Sequence, residues 1–172
     1  EMNRAYEHGA DRLWILNVGD LKPGEYLTEF FLDMAWDIRL CDKEASVFTH
    51  LERWAEREFG KKNAAAITQV MKEYYRLAAI RKPEFMGWSR VEEPGYGRGG
   101  ITPVRDTEYN PDFNNELQRR IDDYRAIEKQ VSEIKGNMAD YKRSAFFQLV
   151  EYPVRGSSLM NRKWLYAQLA RH

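Results

Sequence analysis

Asn17, Asp20 and Lys22 fall within one short stretch, Asn17-Val18-Gly19-Asp20-Leu21-Lys22-Pro23, directly after an apolar run and directly before a helical pattern. An amide, a carboxylate and an ammonium grouped in this way can donate to a sugar hydroxyl, accept from one or take its proton, and meet a substrate carboxylate. Loops that lead from a strand into a helix are where parallel barrels and sheets carry their functional groups. The competing account of the same residues is an ordinary turn with a surface ion pair between Asp20 and Lys22, which contributes little to stability.

Other chemistry-bearing residues form weaker patterns. His8, His50 and His172 show no HxH, HxxxH or HExxH spacing, so the sequence assigns no metal site and no cofactor. Glu92 and Glu93 are adjacent in a loop, and Asp122 and Asp123 are neighbours on a helix, where adjacent side chains diverge. The Gly95 to Gly100 run, GYGRGG, lacks the order and the preceding strand of a phosphate-binding loop. Cys41 is the single cysteine and has no histidine beside it, which excludes an internal disulfide and argues against a nucleophile. The ring pairs Tyr74/Tyr75 and Phe146/Phe147 sit at helical spacing and read as core, leaving Trp88 and Tyr96, off any helix, as the best candidates to stack on a sugar face.

The elements that must position these groups are mostly helices. Arg12 to Val18 (RLWILNV) reads as one buried strand, short and almost wholly apolar. After Pro23 and Gly24, apolar positions recur at three- and four-residue steps: Leu27, Phe30, Phe31, Met34, Ala35 and Ile38; then Val47, Leu51, Trp54 and Ala55, closed by Gly60; then Ile67, Val70, Met71, Tyr74, Leu77 and Ala78, with Asn63 as cap and Pro83 as stop. From 83 to 111 glycines and prolines break all periodicity. Asp112 is placed to cap the longest helix, with a stripe of Leu117, Ile121, Tyr124, Ile127, Val131 and Ile134 ending at Gly136. Two further helices follow, separated by Pro153 and Gly156, one burying Ala145, Phe146, Leu149 and Val150, the other Leu159, Met160, Trp164 and Ala167. The predicted fold is mainly α, a bundle of about five or six helices with one N-terminal strand left over. It divides into residues 1–24, strand and loop, and residues 25–172, the bundle.

Composition bounds the function. The 172 residues carry 27 Lys+Arg against 27 Asp+Glu, so no cationic excess is present to displace counterions from nucleic acid or to meet an anionic membrane. No apolar run reaches membrane-spanning length and no secretory leader is visible. A chain of this size can bury about 70% of its unfolded surface and needs no staple. The lone strand, by contrast, has no partner run elsewhere, and an unpaired strand is not independently stable. It implies a sheet upstream in a longer protein, or else remodelling of this segment as helix or coil.

The stretch GADRLWILNVGDLKPGEYLTEFFLDMAWD, Gly9 to Asp37, resembles the end of the catalytic barrel in glycoside hydrolase family 115, the xylan α-glucuronidases. RKPEFMGWS (Arg81 to Ser89), TPVRDTEYNP (Thr102 to Pro111) and AFFQLVEYPVRGSSLMNRKWLYAQLAR (Ala145 to Arg171) are similar to the helical region that follows that barrel. The resemblance implies hydrolysis, with inversion and without a cofactor, of the α-1,2 bond joining glucuronic acid or its 4-O-methyl ether to xylan. It places the principal catalytic carboxylates upstream of Glu1 and makes Asn17, Asp20 and Lys22 substrate-binding contributors to the pocket. The implied partners are glucuronoxylan or an aldouronic oligosaccharide, the upstream barrel and a second copy in a homodimer. The implied location is periplasmic or secreted. The alternative class is a non-catalytic helical module that binds carbohydrate or protein.

Overall fold

The computed structural model describes residues 1–19, 21–41, 43–86 and 106–172. Seven α-helices are present among them: α1 (Met2–Glu7), α2 (Glu25–Trp36), α3 (Glu44–Phe59), α4 (Lys61–Ile80), α5 (Glu116–Gly136), α6 (Asp140–Phe146) and α7 (Tyr152–Leu169). The described residues contain no strand, which agrees with a mainly α bundle and corrects the N-terminal element. Arg12 to Val18 is irregular and exposed, with Leu13 and Ile15 open to solvent over 76% and 84% of their surface. A strand exists only through a neighbour's backbone, and none is described here. Trp14 alone packs inward, its ring 5.8 Å from that of Phe31.

The α3/α4 pair is the centre of the bundle. Leu51, Trp54, Ala55 and Phe59 face Ala64, Ile67, Val70 and Met71, all almost fully buried. Gly60 alone joins the two helices, at φ +89° and ψ 154°, a conformation open essentially to glycine. That residue, not Asn63, starts α4; Asn63 lies inside the helix and donates from Nδ2 to the Phe59 carbonyl. The α5 stripe is buried as its spacing predicts, from Leu117 to Ile134. The helix begins later than Asp112, because Asn110 Oδ1 accepts the N–H groups of Asp112 and Phe113 and holds them in a turn. Asn114 and Asn115, at φ 54° and 50°, then lead into Glu116.

Two faces differ from their predicted form. In α2 the buried residues are Tyr26 and Met34, the second as predicted, whereas Leu27 is half exposed. At the C-terminal end, Pro153 and Gly156 do not separate helices: Phe147–Glu151 forms a π-helical turn that runs directly into α7, where Pro153 stands in the first turn. A proline within a continuous helical stretch lacks the N–H that would bond back and crowds the carbonyl four residues earlier, and the departure from α-helical winding falls immediately before it. The widened turn keeps Phe146, Val150 and Val154, spaced at four, on the core side. Leu159 is consequently exposed, and α7 buries Ser158, Asn161, Leu165 and Gln168 instead.

Those polar groups are inside because each is satisfied. Gln168 accepts from the N–H and hydroxyl of Thr107 at 2.9 and 2.7 Å and donates to the Tyr109 carbonyl, fixing residues 107–109 on α7. Asn161 accepts from Arg120 Nε at 2.9 Å. Arg120 is only 4% exposed and has no carboxylate among its described hydrogen-bond partners. Its other donors reach the Leu77 and Arg81 carbonyls at 2.8 and 2.7 Å, at the end of α4 that carries the negative pole of its dipole. The rings of Tyr109 and Tyr124 lie 5.1 and 4.9 Å from the guanidinium carbon.

Candidate functional site

The described residues of the loop from Asn17 to Gly24 lie at or near the surface. Asn17 Oδ1 accepts the Gly19 N–H at 3.2 Å, and Gly19 adopts φ +60°. Such an asparagine turn reverses the chain immediately after the apolar run. The Lys22–Pro23 peptide bond is cis. Gly24 then opens α2, its carbonyl accepting both the N–H and the hydroxyl of Thr28 at 3.0 and 2.9 Å. The side chains of Asn17 and Lys22 are exposed. Asp20 lies outside the described residues, as do Trp88, Tyr96 and the Gly95 to Gly100 run.

Lys22 does not stop at the loop. Its Nζ donates to Gln148 Oε1 at 2.9 Å, joining the loop to the π-helical turn 126 residues later. Beside Gln148, the rings of Phe147 and Tyr152 lie 6.2 Å apart and are 46% and 56% exposed. The same turn carries Glu151, a buried carboxylate 2.7 Å from Lys135 Nζ and 2.8 Å from Arg155 Nη1. Burial pushes the Glu151 carboxyl up, but the hydrogen bonds and charges of Lys135 and Arg155 outweigh it and hold the group below its ordinary range. Glu151 is therefore a fixed anion whose charge is spent on two cations, unsuited to act as a general acid. Across the same helix interface Glu128 accepts from Ser158 and Arg162 at 2.8 and 3.0 Å.

A second cluster was not readable from spacing. Glu29 and Asp33, one turn apart on α2, meet His50 from α3, with their ligand-capable atoms within 4.8 Å of one another. The i, i+4 pair is visible in the sequence, whereas the arrival of His50 depends on how α2 crosses α3. His50 Nε2 lies 2.9 Å from Asp33 Oδ2, and Arg57 grips both oxygens of Glu29 at 2.6 Å. Glu29 thus already has a guanidinium as its partner and Asp33 an imidazole, and the arrangement works as a polar seam between helices. A separate cleft of about 680 Å³, lined by Tyr6, Arg12, Trp14, Trp36 and Arg39 among others, opens beside the irregular N-terminal run.

Residues 1–85 match the family model for glycosyl hydrolase family 115. This N-terminal stretch belongs to that family. The family 115 segment contains the apolar run, the Asn17 to Gly24 loop and helices α1 to α4, so the loop and the centre of the bundle are covered by one match. Residues 106–172 lie beyond it but pack upon it, through α5 against α4, through Arg120 and through the Lys22–Gln148 bond. The match supports a glycoside hydrolase-like segment over residues 1–85. No curated protein matches it. No helix among the described residues is long and apolar enough to cross a membrane.

Proposed function

We propose that this chain is the closing loop of a catalytic barrel together with the helical domain that follows, in an enzyme that removes glucuronic acid or its 4-O-methyl ether from xylan by inverting hydrolysis of the α-1,2 linkage. The observation that carries this reading is the family 115 match, which spans the Asn17 to Pro23 loop. Asn17 and Asp20 supply hydrogen bonds to sugar hydroxyls, and Lys22 meets the uronate carboxylate. Inversion requires an acid and a base roughly 6.5 to 9.5 Å apart, with water between base and sugar. That pair belongs to the barrel, so the isolated chain is inactive. The solvent-open faces of Leu13, Ile15, Leu16 and Val18 support a neighbouring sheet as their partner. The natural ligand is glucuronoxylan or an aldouronic oligosaccharide, the location is periplasmic or secreted, and a homodimer is the assembly.

Release of glucuronic acid from aldouronic oligosaccharides tests this directly. The full-length protein should release it and the present chain should not. In the full-length protein Asn17→Ala and Lys22→Ala should each lower kcat/KM about tenfold or more, the scale of one charged hydrogen bond. Activity in the short chain would refute the division of labour. A full-length protein that binds glucuronoxylan without cleaving it would replace the enzyme with a non-catalytic binding module.

A further inference from the structure

The link between Lys22 and Gln148 is the feature that the family match does not explain, because Gln148 lies far beyond residue 85. We propose that Gln148 is a positioning residue for Lys22, delivered to the loop by the π-helical turn Phe147–Glu151, and that it aims the ammonium at the carboxylate of an acidic sugar. The proposal rests on the reading that the Asn17 to Pro23 loop lines the substrate pocket.

Three observations support it. First, the turn is a local departure from α-helical winding inside an otherwise continuous helical stretch from Asp140 to Leu169, and such departures recur at functional sites. The core side of the stretch is fixed by Phe146, Val150 and Val154, all fully buried, so the presentation of Gln148 follows from the winding between them. Second, the turn is held rigidly. Glu151, its last residue, is clamped by Lys135 from α5 and Arg155 from α7, so Gln148 projects from a braced support.

Third, the acceptor is neutral. An amide oxygen fixes the direction of one N–H of Lys22 and leaves its positive charge uncancelled. Among the described residues no carboxylate forms an ion pair with Lys22, and an ammonium has two further donors to offer. A lysine merely serving as a surface tether would be served as well or better by glutamate at 148. A lysine that must bind an incoming carboxylate is served only by a neutral acceptor. Holding the flexible side chain before the substrate arrives removes part of the ordering cost of binding.

The test uses two substitutions and two readouts. Hydrogen exchange of the backbone amides at 19–22 and 24 in the present chain reads whether Gln148 holds the loop. KM and kcat for aldouronic oligosaccharides in the full-length protein read whether it serves the substrate. Gln148→Ala should speed exchange about tenfold and raise KM about tenfold with kcat nearly unchanged. Gln148→Glu should keep the loop protected, through an ion pair with Lys22, and yet raise KM by a similar factor, because the charge is neutralised. Rescue of KM by glutamate would reduce Gln148 to a tether and overturn the proposal. Unchanged exchange in Gln148→Ala would overturn it as well. A wild-type full-length protein that releases no glucuronic acid would instead remove the reading beneath the proposal, and the exchange arm would still decide whether Gln148 holds Lys22.

Discussion

Arg120 offers the sharpest test of how the bundle is held. Replacing it by methionine keeps an unbranched apolar stem and removes every donor. The Leu77 carbonyl, the Arg81 carbonyl and Asn161 Oδ1 then lose partners at 2.7 to 2.9 Å, although the Leu77 carbonyl keeps the Arg81 N–H at 3.3 Å. Each lost hydrogen bond costs about 1 kcal/mol. The two flanking rings add about 0.5 kcal/mol each in lost cation–π attraction. Relief from burying an unpaired charge returns part of this, so the net loss is about 3 kcal/mol. For a chain of this size that corresponds to a fall in Tm of roughly 6 to 12 °C. Arg120→Lys should fall between, since an ammonium retains the charge but cannot span three acceptors in a fork. Urea unfolding followed by tryptophan fluorescence and far-ultraviolet circular dichroism measures both. A loss below about 1 kcal/mol for Arg120→Met would refute the view that a guanidinium, and not apolar packing alone, ties α4, α5 and α7 together.

Three further outcomes follow from the same geometry. Gly60→Ala should destabilise by about 1 to 3 kcal/mol although a Cβ there meets nothing closer than Lys142 Nζ at 3.5 Å, because the cost is backbone strain at φ +89° and not a clash; denaturant midpoints give the value. The Glu151 carboxyl is held below its unfolded value of about 4.5, so its stabilisation is complete above that pH and is lost as pH falls through the folded value. Glu151→Gln should flatten the acid limb of the stability curve in that window. At the alkaline end, burial pushes Tyr124 up to about 12, partly opposed by Arg120, and burial raises Tyr75 further still. The unfolded chain ionises near 10, so stability should fall as pH rises beyond that point, and a spectrophotometric titration should show these phenols ionising only with unfolding.

Periodicity carried most of the architecture. The α5 stripe from Leu117 to Ile134 was legible because each of its positions packs against apolar neighbours, and the α3 and α4 faces were legible for the same reason. α7 was not, because its buried side includes Ser158, Asn161 and Gln168, whose partners Glu128, Arg120 and Thr107 lie 30 to 61 residues away. A polar residue with a distant partner looks like a surface residue to any local pattern. Pro153 misled because the helical stretch passes through it without a break, with a π-helical turn directly before it. The run from Arg12 to Val18 has the composition of a strand and, among the described residues, no neighbour that would make it one. At the candidate site, spacing drew attention to Asn17, Asp20 and Lys22, but Gln148 gave no signal at all. Its role depends on a helix winding that no residue type announces.

The single-residue connection at Gly60 bears on the order in which the molecule assembles. Two long helices joined by one glycine meet with almost no loop to close, so their apolar faces come together at small entropic cost. Contacts so near in sequence form fast. The α3/α4 hairpin is therefore the natural nucleus, complete once residue 80 has been synthesised, and it offers a finished apolar template to α5 and later to α7. The Arg120 knot requires all three of these helices at once and must close at the end, so the polar lock is set only after the apolar halves have found their register.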